Sequence, residues 1–357
     1  MPRGSSDGPV NATIIDGVHT AGGLHCETTA LGVLLTHAGL ALSEPMLFGL
    51  GAGLSFVYWD SNKQDLPFLG GRVKPFALTQ TLTSRLGVTL RAEETTSARK
   101  AWDRLRTTID RGTPVGLQLD SYDLEYFGSR VHFAGHVVAM YGYDQDTAFL
   151  IDTAQQGGEV TTTLESLARA RAARGPMSAH QRAFTVNVPT AATMPEQIHE
   201  AIVPAITACA KEFLAPPIAN LGNRGILTAA KRIPSWFDRV GEPARDLPVI
   251  AMLMERAGTG GALFRNLYRD FLTECEELVA RRSHADIIVE NAARFAESAL
   301  LWTRASELIG RAGSTGKADF LSEAAEVLTT IERIERTAMA SLASLEKVEQ
   351  RGAPGSR

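Results

Sequence analysis

The chain has 357 residues, more than one ordinary hydrophobic core requires, and its length suits two domains. Hydrophobic residues make up 44% and charged residues 21%, as in soluble globular proteins, and a formal net charge of −4 argues against nucleic acid as the main partner. No apolar run approaches a membrane span, so no membrane partner is expected.

Residues 1–12 read as a loose tail, polar and rich in Gly, Ser and Pro over 1–9, without the apolar core of a signal peptide. Next, Ala21-Gly22-Gly23 forms a small-residue turn shortly before Cys26, and an apolar helical pattern follows. Leu31, Leu34, Leu35 and Ala38 share one face, and Gly39 is a plausible stop, so a helix is expected from Cys26 to about His37. Ser43-Glu44-Pro45 resembles a capped helical turn. Gly49, Gly51 and Gly53 allow close backbone approach, expected here to be against the Cys26 helix, before a short strand over 55–59. This Gly-rich run lacks the Gly-Lys-Ser/Thr ending of a phosphate loop.

Residues 70–75 are expected to be a turn carrying Arg72 and Lys74. A helix over 77–86, a strand over 88–92, a helix over 98–111 and a buried strand over 114–120 come next. Two apolar strands follow, one opened by His136 and one ending in Asp152, joined by a tight turn at 143–146. A basic, alanine-rich helix over 164–173 and a last strand over 184–189 complete this half. Composition shifts after Pro189, and helical periods then dominate over 196–213, 225–240, 247–257, 261–282, 284–310 and 317–350. The expected fold class is α+β, with a nucleophile helix on an antiparallel sheet in a domain over 1–190 and an all-α accessory domain over 195–350. The long, alanine-rich last helix could support a homodimer.

The three cysteines, Cys26, Cys209 and Cys275, give neither a disulfide framework nor a metal-ligand spacing, which fits a reducing cytoplasm. Cys209 and Cys275 fall on apolar helical faces and read as structural. Cys26 differs, because a thiol in the first turn of a helix meets the positive end of the dipole, which favours the thiolate. The order Cys26, then His136 on a strand, then Asp152 at the end of the next strand is that of papain-like thiol enzymes. Imidazole accepts the thiol proton, and the carboxylate fixes its tautomer and stabilises its cation. A lone cysteine is more often a small buried hydrophobe.

Around this set, Gln118 at the end of an inner strand, His19, His25 and His132 are candidate hydrogen-bond donors to an oxyanion. For His132 a satisfied local hydrogen bond is the preferred reading. Asp120, Tyr122 and Glu125 follow an inner strand and could hold a cationic amine, or simply form a polar loop. A metal is not expected. His132 and His136 are four apart, but on a strand such positions lie about 13 Å apart. Arg265, Arg269 and Asp270 share a helical neighbourhood and read as surface ion pairs.

Several long runs resemble one family, in order along the chain. They are His-Cys-Glu-Thr-Thr-Ala-Leu (25–31), Leu-Ser-Glu-Pro-Met-Leu-Phe-Gly-Leu-Gly (42–51), Gly-Gly-Arg-Val-Lys-Pro (70–75) and Phe-Ala-Gly-His-Val-Val (133–138). Together they are similar to the BtrH-like acyltransferases, which have a papain-like N-terminal domain related in fold to double-glycine leader peptidases. Residues 258–271 are similar to the helical domain that accompanies it. The resemblance implies acyl transfer from an acyl carrier protein thioester to a small-molecule amine, with Cys26 as nucleophile, His136 as base and Asp152 orienting His136. It implies no bound cofactor; the carrier's 4'-phosphopantetheine is the donor arm, whose phosphate Arg72 and Lys74 could meet. One departure concerns the glutamine that the leader peptidases place about six residues before the cysteine. Here Thr20 stands at that spacing, which leaves the second oxyanion donor unassigned. A cyclase, thioesterase or amidase would use the same acyl-enzyme. A binding module that had lost its chemistry would not need Cys26, His136 and Asp152 together.

Overall fold

The computed structural model describes residues 12–61, 64–128, 131–189, 194–279 and 282–346. In chain order the elements of the first half are β1 (Thr13–Ile14), α1 (Cys26–His37), α2 (Glu44–Leu50), β2 (Leu54–Trp59), β3 (Phe68–Arg72), α3 (Ala77–Arg85), β4 (Thr89–Glu93), α4 (Ala98–Asp110), β5 (Val115–Leu119), β6 (His136–Tyr143), β7 (Thr147–Ile151), β8 (Glu159–Thr163), α5 (Leu164–Ala172) and β9 (Ala183–Asn187). Helices follow: α6 (Met194–Leu214), α7 (Gly222–Arg232), α8 (Trp236–Arg239), α9 (Pro243–Arg256), α10 (Arg265–Glu276), α11 (Arg282–Thr315) and α12 (Asp319–Ala343). An antiparallel sheet followed by helices is the α+β class expected. The tail over 1–11 and most of the expected linker, 190–193, lie outside the described residues.

The chain divides into two units, Met1–Leu42 with Gly87–Ala191, and Ser43–Leu86 with Ala192–Arg357. The division is thus discontinuous, where the composition shift had marked only a single cut near 190. Residues 43–86 belong with the helices because α2 packs on α10, and β2 packs on α7.

The first unit is built on an antiparallel sheet in the order β4-β9-β5-β6-β7-β8, with β1 added beside β6. Its two central strands are the most apolar. Every residue of β5 is buried, as are the first five of β6, which is what strands covered on both faces require. Helix α1 packs on β6, β5 and β9, while α5 packs on β5, β7 and β8. Leu31, Leu34 and Leu35 supply the buried face of α1, and the helix ends before Gly39, whose φ of +92° suits glycine. Strands β1 and β8 were not anticipated; β1 has only two residues, and β8 is a threonine-rich edge with little hydrophobic signal.

In the second unit three expectations are corrected. Residues 70–72 are not a turn but the end of β3, paired antiparallel with β2. Gly71 is required there because a Cβ would stand 2.2 Å from the Leu263 carbonyl oxygen. The glycines of α2 and the residues after it do not pack on the Cys26 helix. A Cβ at Gly49 would meet the Phe271 ring, and one at Gly51 would meet Leu78. The cap on α2 is as read, with Ser43 Oγ accepting from the Met46 N–H at 3.2 Å. Arg269 pairs with Asp270 at 2.7 Å on a half-exposed face, but Arg265 is wholly buried against Glu335 rather than on the surface. Among the described residues no helix is long and apolar enough to cross a membrane.

Candidate active site

Cys26 is the first residue of α1, after His25 in extended conformation as N-cap. The sequence dictates this start. Gly22 takes φ +77°, with its N–H donating to Thr20 Oγ1 at 3.1 Å, so the chain turns before the apolar helical face begins. The turn is tied across the site, since the Ala154 N–H donates to the Gly23 carbonyl at 2.9 Å. Gly158, at φ +76°, lies against Thr20, where a Cβ would come within 3.0 Å of the threonine methyl. The loop after β7 therefore holds the loop before α1.

His136 opens β6, and Asp152 follows β7; both are buried. The His136 ring bonds Asp152 Oδ2 through Nε2 at 2.7 Å, which leaves Nδ1 for a second partner. The Cys26 sulfur acts on the same ring, by charge and by hydrogen bonding. The structure thus brings Cys26, His136 and Asp152 together from α1, β6 and the end of β7. Two further donors fix the carboxylate: the Thr153 N–H on Oδ1 at 2.7 Å, and the Tyr126 hydroxyl on Oδ2 at 2.9 Å. Phe127 stands edge-on to the imidazole, with centroids 5.1 Å apart and planes at 70°.

The charge on His136 follows from these neighbours. Burial works hardest against the imidazolium, but the Asp152 carboxylate and the Cys26 sulfur, by charge and hydrogen bonding, outweigh it and lift the ring to about 10. For Asp152 burial again opposes charge, and His136, Thr153 and Tyr126 hold the carboxyl below its ordinary range. Linkage then sets a window. A raised imidazole contributes stability fully below its unfolded value of about 6.5, and loses it as pH rises toward 10. A depressed carboxyl contributes above its unfolded value of about 3.9 and loses it as pH falls further. Asp152→Asn should therefore lower the melting temperature most between about pH 4 and 6.5, and the gap from the wild type should narrow as pH rises from there toward 10. Melting curves taken from pH 5 to 10.5 check this; a gap that does not depend on pH would contradict the ion pair.

The remaining candidates fall elsewhere. Leu119 pairs with His136 and Gln118 with Val137, so alternation puts Gln118 on the opposite face of the sheet from His136. Its amide is committed, with Nε2 donating to the Ala134 and Met177 carbonyls at 3.2 and 2.7 Å, and Oε1 accepting from Arg182 at 2.6 Å. Gln118 ties the loop before β6 to the loop between α5 and β9.

Asp120 caps the turn after β5, accepting from the Tyr122 and Phe133 N–H groups at 3.0 and 2.9 Å and pairing with His132 at 3.0 Å. Exposed Tyr122 stacks on His132 with centroids 4.0 Å apart. Glu125 is taken up by the β8–α5 junction, accepting from the Thr163 N–H at 3.1 Å and its hydroxyl at 2.9 Å; those bonds hold its carboxyl below the ordinary range. Both carboxylates organise loops. Exposed His19 meets Glu159 at 3.3 Å. His25 is buried at the helix start, with its ring 3.3 Å from Thr28 Oγ1 and its carbonyl accepting from the Thr29 hydroxyl at 2.8 Å.

Tyr126 and Phe127 were not singled out in the sequence. They lie in an irregular loop, where no period marks which side chains turn inward. Their only signal was the aromatic and polar run over 120–127, beside the strand opened by His136.

Residues 25–153 match the family model for butirosin biosynthesis protein H, N-terminal, and residues 165–342 match a domain of unknown function, DUF4872. No curated protein matched the chain. The first match begins one residue before Cys26 and ends one residue after Asp152, and so takes in all three residues of the site. With this domain followed by the second in order, the chain belongs to the BtrH-like proteins.

Proposed function

We propose that the protein is a cysteine-dependent acyltransferase of small-molecule biosynthesis, forming an amide from a carrier-bound acyl thioester and an amine. The observation that carries this is the His136–Asp152 pair with the Cys26 sulfur acting on the same imidazole, inside a region that matches a biosynthesis protein's N-terminal domain. Cys26 adds to the thioester carbonyl, and the pantetheine sulfur leaves with a proton from His136. The amine then attacks the acyl-enzyme and gives its proton to His136 as the Cys26 sulfur departs. The Cys26 backbone N–H, in the first turn of α1, supplies one donor to the oxyanion of each tetrahedral intermediate. The acyl carrier protein is the partner in this reading, its 4'-phosphopantetheine is the donor arm, and the cytoplasm is where both are met.

Intact-protein mass spectrometry after mixing with acyl-pantetheine and acyl-carrier thioesters tests this reading. The expected result is a mass gain equal to the acyl group, discharged faster when amines are added, with the amide as product. Discharge at one rate with or without amines would make the protein a thioesterase.

A further inference from the structure

We propose that Tyr126 is a positioning residue of this site, its hydroxyl fixing the Asp152 carboxylate and moderating that carboxylate's pull on His136. The proposal rests on the Cys26–His136–Asp152 reading and extends it by one residue. Asp152 is wholly buried, and its Oδ2 takes two donors at once, His136 Nε2 at 2.7 Å and the Tyr126 hydroxyl at 2.9 Å. With the Thr153 N–H on Oδ1, three donors from three segments orient one carboxylate.

Tyr126 is placed to serve this bond. Burial pushes its phenol far above the ordinary value, and the Asp152 charge adds to the effect, so the hydroxyl is a donor throughout the working pH range. The neighbouring residue Phe127 packs edge-on to His136, so one loop touches both the imidazole and its carboxylate.

A carboxylate that accepts a hydrogen bond from a neutral hydroxyl has part of its negative charge stabilised there. It is then a weaker acceptor and a weaker countercharge for the imidazolium. Without the hydroxyl, His136 should hold its proton to higher pH. A base that holds its proton too firmly takes up the acceptor amine's proton readily but donates poorly to the leaving sulfur, and the reaction needs both. The titratable groups acting on His136 are Asp152 and Cys26, those acting on Asp152 are His136 and Tyr126, and those acting on Tyr126 are Asp152 and Cys26.

The test is an NMR titration of the full chain carrying 13C-labelled histidine, from pH 5 to 11, with the His136 signal assigned by its loss in His136→Asn. Tyr126→Phe keeps the ring and should raise the His136 midpoint by roughly half a unit or more. Site-specific 3-fluorotyrosine at position 126, a stronger donor, should lower it. Melting curves accompany both, so that a folding defect is seen as such; if the phenylalanine variant melts out, the fluorotyrosine protein still gives the sign. An unmoved midpoint in either folded protein overturns the role of Tyr126. If the wild-type midpoint lies near 6.5 and Cys26 alkylates as an ordinary thiol, indifferent to His136→Asn, the nucleophile reading itself fails, and that result is distinct from the first.

Discussion

Cys26→Ala leaves no acyl adduct with any thioester donor, and donor consumption falls by about four orders of magnitude or more. The expectation is this large because, of the three cysteines, only Cys26 has a base against it. Cys209 and Cys275 are buried in the second unit. Burial pushes the Cys209 thiol up to about 12 and Cys275 higher still, and the Cys209 sulfur donates to the Leu54 carbonyl at 3.5 Å. Neither can substitute. His136→Ala should cost nearly as much, since it removes both the group that takes the thiol proton and the group that gives one to the leaving sulfur. The double variant should then be no worse than either single one, because residues that act as a unit are not additive. The measurement is the single-turnover rate of donor loss, with adduct mass as the second readout. Wild-type turnover in Cys26→Ala would remove Cys26 from the mechanism.

The three residues of this site were legible for separate reasons. Cys26 stood out because a glycine turn met an apolar helical face at that residue, and the helix does begin there. His136 and Asp152 stood out because an apolar strand opens with one and the next ends at the other, so that adjacent antiparallel strands β6 and β7 bring them within 2.7 Å. What the sequence withheld is what alternation and irregular loops decide. Gln118 is one residue from the register position opposite His136, and that single step puts it on the other face. Asp120 and Glu125 had the chemistry for an amine, but backbone N–H groups nearby claim their oxygens. Tyr126 reaches Asp152 only because its loop folds inward, a tertiary fact without a local code. The segment 43–86 was misplaced for a related reason. Its capped helix and short strand gave no local sign of their partners, which lie some two hundred residues further on, as Gly49 against Phe271 illustrates.

The largest stability effect is expected far from the thiol, at Glu335 of α12. Arg265 and Glu335 are both fully buried and joined by two bonds of 2.8 Å, and Glu335 Oε1 also accepts from Ser298 Oγ at 2.6 Å and Trp302 Nε1 at 2.8 Å. One carboxylate thus links α10, α11 and α12, while Arg265 donates onward to the Leu263 carbonyl at 2.9 Å and the Ser55 carbonyl at 3.3 Å. Glu335→Ala strands a buried guanidinium and should destabilise the second unit by about 3–5 kcal/mol. Replacing both partners, Arg265→Met with Glu335→Leu, should cost much less, since no charge is then left without a partner.

The backbone supplies a reason why the pair would be kept although an apolar pair could do as well. Ala262, Leu263 and Phe264 all have left-handed φ, at 49°, 46° and 73°, a conformation that costs non-glycine residues about 1–2 kcal/mol each. Arg265 follows this run directly and bonds back to Leu263, so the guanidinium holds the strained turn as well as the helices. That turn is in place to meet Gly71 of β3, which has no room for a side chain beside the Leu263 carbonyl. The double variant should therefore recover most of the denaturation midpoint and still show faster amide exchange over residues 260–266 than the wild type. Full recovery of exchange protection in that segment would mean that the arginine does not hold the turn. A loss below about 1 kcal/mol in Glu335→Ala would mean that the pair is not buried.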